Sequence, residues 1–203
     1  MDVADHTLLT RWQAGDQDAG AALFEAHYEA LARFFRNKVD DALRDDLIQQ
    51  TFLAALTAPF GGRAQVRTWL FSIAWRRLQD HFRKQVRRPE ESMESMSVAD
   101  MGQSPETSLR LRQEQRLLLE GLRRIPLHQQ VVLELFYWDD LPVPEIAEAL
   151  EIPLGTAKTR LRDGRLALAR VLEQISASAD VLRSTLDDLD GWARRTRAVA
   201  LPA

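Results

Sequence analysis

The sequence predicts an all-α protein made of two small helical domains, and three observations carry that expectation. Apolar residues make up 45% of the 203, mostly as Leu and Ala, and only nine residues are Gly, a composition that favours helix. They recur at three- and four-residue intervals over long stretches, and few segments alternate strictly. The periodic segments also fall into two blocks, 1–88 and 109–175. Between them, residues 89–108 include PEESMESMSVADMGQSPET, acidic and without an apolar face, which reads as a flexible linker.

Taken in order, residues 7–35 place Leu8, Leu9, Trp12, Ala19, Leu23, Phe24, Tyr28, Leu31 and Phe35 at helical spacing. AGDQD at 14–18 breaks them into two helices. A third helix over 40–57 has Leu43, Leu47, Ile48, Thr51, Phe52 and Ala55 on one face and ends at Pro59 and Gly61-Gly62. VRTWLFSIAWRRLQDHFRKQVRR, 66–88, is a long helix with apolar and basic stripes. After the linker, periodicity returns at 109–122, pauses at Pro126 and continues through 131–137; a further unit covers 142–175. Residues 176–203 form a C-terminal extension in which Val181, Leu182, Thr185, Leu186, Leu189 and Trp192 could line one more helix. Such a stripe suits docking on a domain or a partner as well as simple continuation of the last core.

The net charge is only −3, but basic residues are concentrated in two places. Residues 155–170 hold five Lys/Arg against one Asp. They lie in PVPEIAEALEIPLGTAKTRLRDGRLALARVL, 142–172, which has the pattern of two short helices joined by a tight turn. Ile146, Ala147 and Leu150 would bury one face of the first helix, and Ala157, Leu161, Gly164, Leu168 and Leu172 one face of the second. Thr156, Lys158, Thr159 and Arg162 then project outward, where a recognition helix meets base edges. Arg160 and Arg165 lie on the flanks and suit phosphates. A plain amphipathic helix with a solvated basic face competes with this reading, and the adjoining helix and turn weigh against it.

Residues 63–88 hold eight Lys/Arg against one Asp. Arg63, Arg67, Arg76, Arg77, Arg83, Lys84, Arg87 and Arg88 are interleaved with Trp69, Phe71, Trp75 and Phe82. Cations that follow a backbone, next to rings on which bases stack, suit single-stranded or melting DNA. Most of these rings nonetheless belong to an apolar stripe with Leu70, Ile73 and Leu78 and are expected in the core.

Other functions find no support. There is no Cys, which removes disulfides and thiolate metal sites and agrees with a reducing cytoplasm. MDVADHTLLTRW lacks the features of a signal peptide, and no run approaches about 18 apolar residues, so a soluble cytoplasmic protein without membrane insertion is expected. His6, His27, His81 and His128 are scattered outside any HExxH pattern, Gly61-Gly62 lacks the rest of a phosphate loop, and no Ser sits in G-x-S-x-G. Asp45-Asp46 and Asp139-Asp140 are adjacent pairs whose side chains diverge. No enzyme, metal or cofactor is predicted.

The residues 125–172, IPLHQQVVLELFYWDDLPVPEIAEALEIPLGTAKTRLRDGRLALARVL, resemble the C-terminal domain of the sigma-70 family, specifically the small extracytoplasmic-function (ECF) type. DDLIQQTFLAAL, 45–56, followed by VRTWLFSIAWRRLQDHFRK resembles the N-terminal domain of the same family. The resemblance implies an ECF sigma factor that binds RNA polymerase core through the β′ clamp helices and the β flap. Its second domain would read the minus-thirty-five element of promoter DNA with Thr156, Lys158, Thr159, Arg160, Arg162 and Arg165. Its first would open the minus-ten element: the 61–67 loop, with Arg63, Gln65 and Arg67, would hold a flipped base, and Trp75, Arg76, Arg77, Asp80, Arg83 and Lys84 would follow the strands. Asp45, Asp46, Gln49, Gln50 and Phe52 would contact core polymerase. By the same resemblance the linker could thread through polymerase, or it could be a plain spacer.

Three departures from the family pattern stand out. Glu151 occupies a turn position that is usually Gly, at a cost of about 1 kcal/mol if the left-handed geometry is kept. Leu154 stands where an acid commonly caps the recognition helix. Residues 43–52, LRDDLIQQTF, depart from the family's common DAEDLVQETF by placing Leu43 and Gln50 where acids are usual and adding Arg44. A less negative polymerase-binding helix suggests that phosphorylation of Thr51 by a Ser/Thr kinase restores the charge; the competing reading makes Thr51 an ordinary half-buried helix residue. Control by an anti-sigma protein is the other expectation, with the free chain monomeric. The rival function is a conventional helix-turn-helix regulator binding duplex operators.

Overall fold

The computed structural model describes residues 3–62, 64–85, 96–101 and 113–175, and within them eight helices and no strand. Four belong to the first half: α1 (Val3–Gln13), α2 (Gln17–Arg36), α3 (Asp41–Thr57) and α4 (Val66–Gln85). Four belong to the second: α5 (Gln113–Arg124), α6 (Leu127–Tyr137), α7 (Val143–Ala149) and α8 (Leu154–Ile175). The all-α expectation holds. The tail helix expected in 176–203, together with Arg63, Arg87 and Arg88, lies outside the described residues.

Local chemistry explains the helix starts in the first half. Asp16 caps α2 by accepting from the Ala19 N–H at 3.1 Å, and Arg11 braces the same carboxylate at 2.6 Å. The backbone donor first, then Arg11, holds the Asp16 carboxyl below its ordinary range. Asp40 caps α3 in the same way, through the Leu43 N–H at 2.9 Å. Gly20 lets α2 pass directly over the Trp12 ring of α1, because a β-carbon there would collide with the indole. Leu23, Phe35, Phe71, Leu78 and Phe82 fill the interior between α2, α3 and α4.

In the second half α8 is the long central element, packed against α5, α6 and α7. The periodicity of its sequence matches its buried face: Ala157, Leu161, Gly164, Leu168 and Leu172 all point inward. α7 ends in a Schellman motif, with the Ile152 N–H bonded to the Ala147 carbonyl (2.9 Å) and the Glu151 N–H to that of Glu148 (3.2 Å). Glu151 sits in this motif with φ +55°, so the left-handed turn survives without its glycine.

Two features add to the two-domain organisation. Within the 89–108 segment, residues 96–101 pack onto the second half: Val98 is fully buried, the Leu127 N–H bonds the Met96 carbonyl, and the Ala99 N–H bonds that of Arg123. Ser97 and Asp100 close this turn on each other, and the Ser97 hydroxyl and N–H hold the Asp100 carboxyl below its ordinary range. The two halves also do not stand apart. α4 lies along α7, α2 touches α6, and one continuous set of buried apolar residues runs through both.

Candidate nucleic-acid and polymerase interface

α8 presents Lys158, Thr159 and Arg162 to solvent, with Thr156 and Arg160 half-exposed beside them. These positions share the face opposite Leu161 and Leu168, so burial of the apolar stripe fixes where they point. Arg162 touches its own neighbour Asp163 at 2.9 Å. Arg165 is turned inward: its Nε donates to the Tyr137 hydroxyl at 2.7 Å and its guanidinium lies over the Phe136 and Tyr137 rings. It is therefore anchored on the α6 aromatics and less free than the others for a phosphate.

α4 carries its polar residues in two rows. Arg77, Asp80, His81, Arg83 and Lys84 face α3 and line a groove of about 460 Å³ with Leu43, Asp46, Leu47 and Gln50. The structure thus brings six predicted DNA- or polymerase-contacting residues of α4 and α3 to one place, with Arg83 and Lys84 exposed at its rim. Burial pushes the His81 imidazole below its ordinary value, against the pull of Asp40. The other row is Thr68, Ser72 and Arg76, spaced by four, and it faces α7. Thr68 donates to Glu145 at 2.9 Å, and Arg76 forms an ion pair with Glu151.

Arg67 also meets the second half. It and Arg33 of α2 both donate to Asp139 Oδ1, at 2.6 and 3.0 Å, and Asp139 is only 2% exposed. Behind this contact lies a buried polar cluster. Lys38 pairs with Glu134; Gln130 donates to the other oxygen of Glu134 at 2.8 Å; and Asn37 receives Arg123 Nε at 2.8 Å while donating to the Leu119 carbonyl at 3.2 Å. Burial raises the Glu134 carboxyl above its ordinary value, opposed by Lys38.

The exposed residues of α3 include Asp45, Asp46 and Gln49, followed one and two turns on by Leu53 and Leu56. Gln50 is half-buried and donates to Asp46 at 2.7 Å. Arg44 folds back on Asp41 and Asp45 at 2.7 and 3.2 Å, so the added cation neutralises part of the acidic face it interrupts.

Three predicted site residues are corrected. Phe52 is a core residue, packed against the Trp12 and Phe24 rings, and offers no surface to a partner. Trp75 is 6% exposed and belongs to the interior, as the apolar-stripe reading of these rings anticipated. Thr51 is completely buried, its hydroxyl donating to the Leu47 carbonyl at 2.7 Å. A kinase cannot reach that oxygen without unfolding α3, so the structure gives no support to phosphorylation of Thr51 as the control. The sequence reading missed Asp139, Glu145 and Glu151 as partners of α4; the available signal was a block of acids in the second half facing a strongly basic helix in the first.

Among the described residues no helix is long and apolar enough to cross a membrane, and no cluster of His or carboxylates could hold a metal ion. Residues 23–88 match the family described as sigma-70 region 2, and residues 115–168 that described as sigma-70, region 4. The ECF RNA polymerase sigma factor SigW of Bacillus subtilis is 31% identical over 193 residues, spanning 86% of this chain and all of the relative. The RNA polymerase sigma factor HrpL of Pseudomonas syringae is 30% identical over 151 residues, covering 71% of this chain and 82% of its own. Among solved structures, that of CnrH in complex with the cytosolic domain of CnrY superposes with a TM-score of 0.62 at 24% identity, over 85% of this chain and 99% of that one; it speaks for the fold.

Proposed function

Because the chain belongs to the ECF RNA polymerase sigma factors, we propose that it binds the polymerase core and directs initiation at particular promoters. The observation that carries this reading is the pairing of two cation-rich helices, α4 and α8, on two halves of one chain, beside an acidic exposed face on α3. Lys158, Thr159 and Arg162, with Thr156, lie at the N-terminal part of α8, the part by which a recognition helix enters the major groove, and would read the minus-thirty-five element. Arg160 adds a phosphate contact, whose gain comes from counterion release.

Arg76, Arg83 and Lys84, with Gln65 from the preceding loop, would follow the minus-ten strands, and Arg77 and Asp80 would orient them from the groove. Asp45, Asp46 and Gln49 would meet basic clamp helices of β′, with Leu53 and Leu56 supplying apolar contact. This role asks no chemistry of the chain; nucleotide addition belongs to the polymerase, and the protein would act in the cytoplasm, where promoter DNA is. The structures of CnrH with CnrY and of BldN with RsbN are complexes of two proteins, and an anti-sigma partner remains the proposed route of control. Run-off transcription with purified core on a promoter library tests the reading: specific start sites that vanish in an Arg162→Ala, Lys158→Ala variant are expected, and absence of initiation by the wild type would overturn it.

A further inference from the structure

We infer that Asp163, the one acid among five cations in residues 155–170, is a specificity-determining residue: it selects cytosine at one base pair of the minus-thirty-five element by accepting a hydrogen bond from the N4 amino group. This rests on the proposed role of α8 in reading that element and names the contact that decides one of its bases.

Helix geometry puts Asp163 in the middle of the exposed face. Ala157, Leu161, Gly164, Leu168 and Leu172 are buried. At about 3.6 residues per turn, the line opposite them runs through Thr159, Asp163 and Leu166, with Thr156 and Arg162 on either side. Lys158 and Arg160 stand farther round, at the margins. Gly164 holds this rotation of α8, because it lets the helix lie so close to α6 that a β-carbon there would meet Gln129 at 3.2 Å and Leu133 at 3.3 Å. From Thr156 to Leu166 the centre of the face therefore carries no cation, and the cations flank it. Margins meet the phosphates that wall a groove, and the centre meets base edges.

The fold itself gains little from an acid at 163. The position is in the middle of α8, away from the first turn, where a negative charge is favoured, and Asp is a poor helix former. Its ion pair with the adjacent Arg162, 2.9 Å from Nε to Oδ1, joins side chains that are 72% and 40% exposed, so it adds little to stability. A carboxylate that is carried into a groove lined by phosphates costs affinity unless the DNA supplies a donor for it.

The chemistry of the major groove then chooses the base. An ionised carboxylate only accepts hydrogen bonds. Guanine offers N7 and O6 and thymine offers O4, all acceptors that repel it; adenine sets its N6 donor beside the N7 acceptor; cytosine offers its N4 donor alone. Cytosine thus satisfies a carboxylate without a repelling neighbour. Arg162 completes the contact. With Nε given to Asp163 Oδ1, it keeps its two terminal nitrogens as donors of the kind that guanine O6 and N7 take. The two adjacent side chains together suit the two edges of a C·G pair.

The test uses the full-length chain bound to core polymerase and a pool of promoters randomised in the minus-thirty-five element, comparing wild type, Asp163→Ala and Asp163→Asn. Asp163→Ala removes both acceptor and charge. Asp163→Asn removes the charge, keeps an oxygen for Arg162 and adds a donor, a combination that suits the N6–N7 edge of adenine. The wild type should favour cytosine over guanine and thymine at one position by about five- to a hundredfold. Asp163→Ala should level that position to within about twofold, and Asp163→Asn should turn it toward adenine. A second readout needs no variant to fold: replacing the selected cytosine by pyrimidin-2-one, which lacks the amino group, should weaken binding of the wild-type holoenzyme by about fivefold or more. Asp163→Ala should not respond to that exchange beyond the change it shows for any weakened base pair.

Absence of a cytosine preference in the wild type, or an unaltered preference in Asp163→Ala, overturns the inference. So does an equal gain for every sequence in both variants, the result expected of an acid that only repels DNA. The two levels separate cleanly. A holoenzyme that enriches a defined element without dependence on Asp163 removes this contact alone; one that enriches no element and starts no transcript removes the promoter reading, and the contact with it.

Discussion

α4 and α8 are both rich in cations, yet they stand in opposite situations. On α8, Lys158 and Arg162 point to solvent, and among the described residues Arg162 pairs with its own neighbour Asp163. On α4, Arg67 and Arg76 are taken by carboxylates of the other half, and the row between them is buried. The availability of a basic helix is thus set by what packs beside it, and counting its charges does not reveal it. A surface ready for duplex DNA coexists with one whose cations are partly paired across the two halves.

The strongest way to break this comparison is at the buried pair behind the contact. Glu134→Gln leaves Lys38 fully buried with no counter-charge, and removing one partner of such a pair costs about 3–5 kcal/mol. Urea denaturation should show a loss of that size, and the double variant Lys38→Met, Glu134→Leu should recover most of it. Titration gives a second handle. Because burial raises Glu134, the folded chain binds a proton more tightly than the unfolded chain, in which this carboxyl is solvated. Its contribution to stability is fully present below the ordinary carboxylate range and fades as pH rises through the raised value. Glu134→Gln should abolish that slope, measured as denaturant midpoint against pH.

Next in size is a substitution on the first half alone. Thr51→Glu forces a carboxylate into a fully buried position and should cost about 3 kcal/mol or more in thermal or urea unfolding. It should bring no gain in affinity for core. A gain would restore the discarded phosphorylation reading. On the second half, Arg162→Ala should weaken promoter binding by the holoenzyme by about 1–3 kcal/mol and relax preference at one base pair. Arg160→Ala should weaken all sequences alike and reduce the salt slope by about one. Binding of holoenzyme to minus-thirty-five variants across a salt series distinguishes the two.

The helices were legible because burial is periodic. Leu47, Ile48, Phe52 and Ala55 in α3 and the 157–161–164–168–172 set in α8 point inward as their spacing requires. The outward face of the recognition helix followed without further information. What spacing cannot reveal is which polar residues are buried. Asn37, Lys38, Gln130, Glu134 and Asp139 have the composition of surface, and hydrogen bonds to one another or to Arg33, Arg67 and Arg123, mostly across segments far apart in sequence, allow them inside. Val98 was hidden for a similar reason, since the few apolar residues scattered through this acidic stretch have no helical period. Trp75 and Phe52 were misplaced as contacts because a ring on an apolar stripe and a ring offered to a base look alike until the neighbours are known.

The smallest expected effect is the most discriminating. Glu151→Gly relieves a left-handed residue, worth about 1 kcal/mol, and gives up a half-exposed ion pair worth about 0–1 kcal/mol. Thermal stability of the whole chain should therefore stay level or rise by up to about 1 kcal/mol. A loss of more than about 1 kcal/mol would give the Arg76–Glu151 pair a larger share in joining the two halves than a pair so exposed should have.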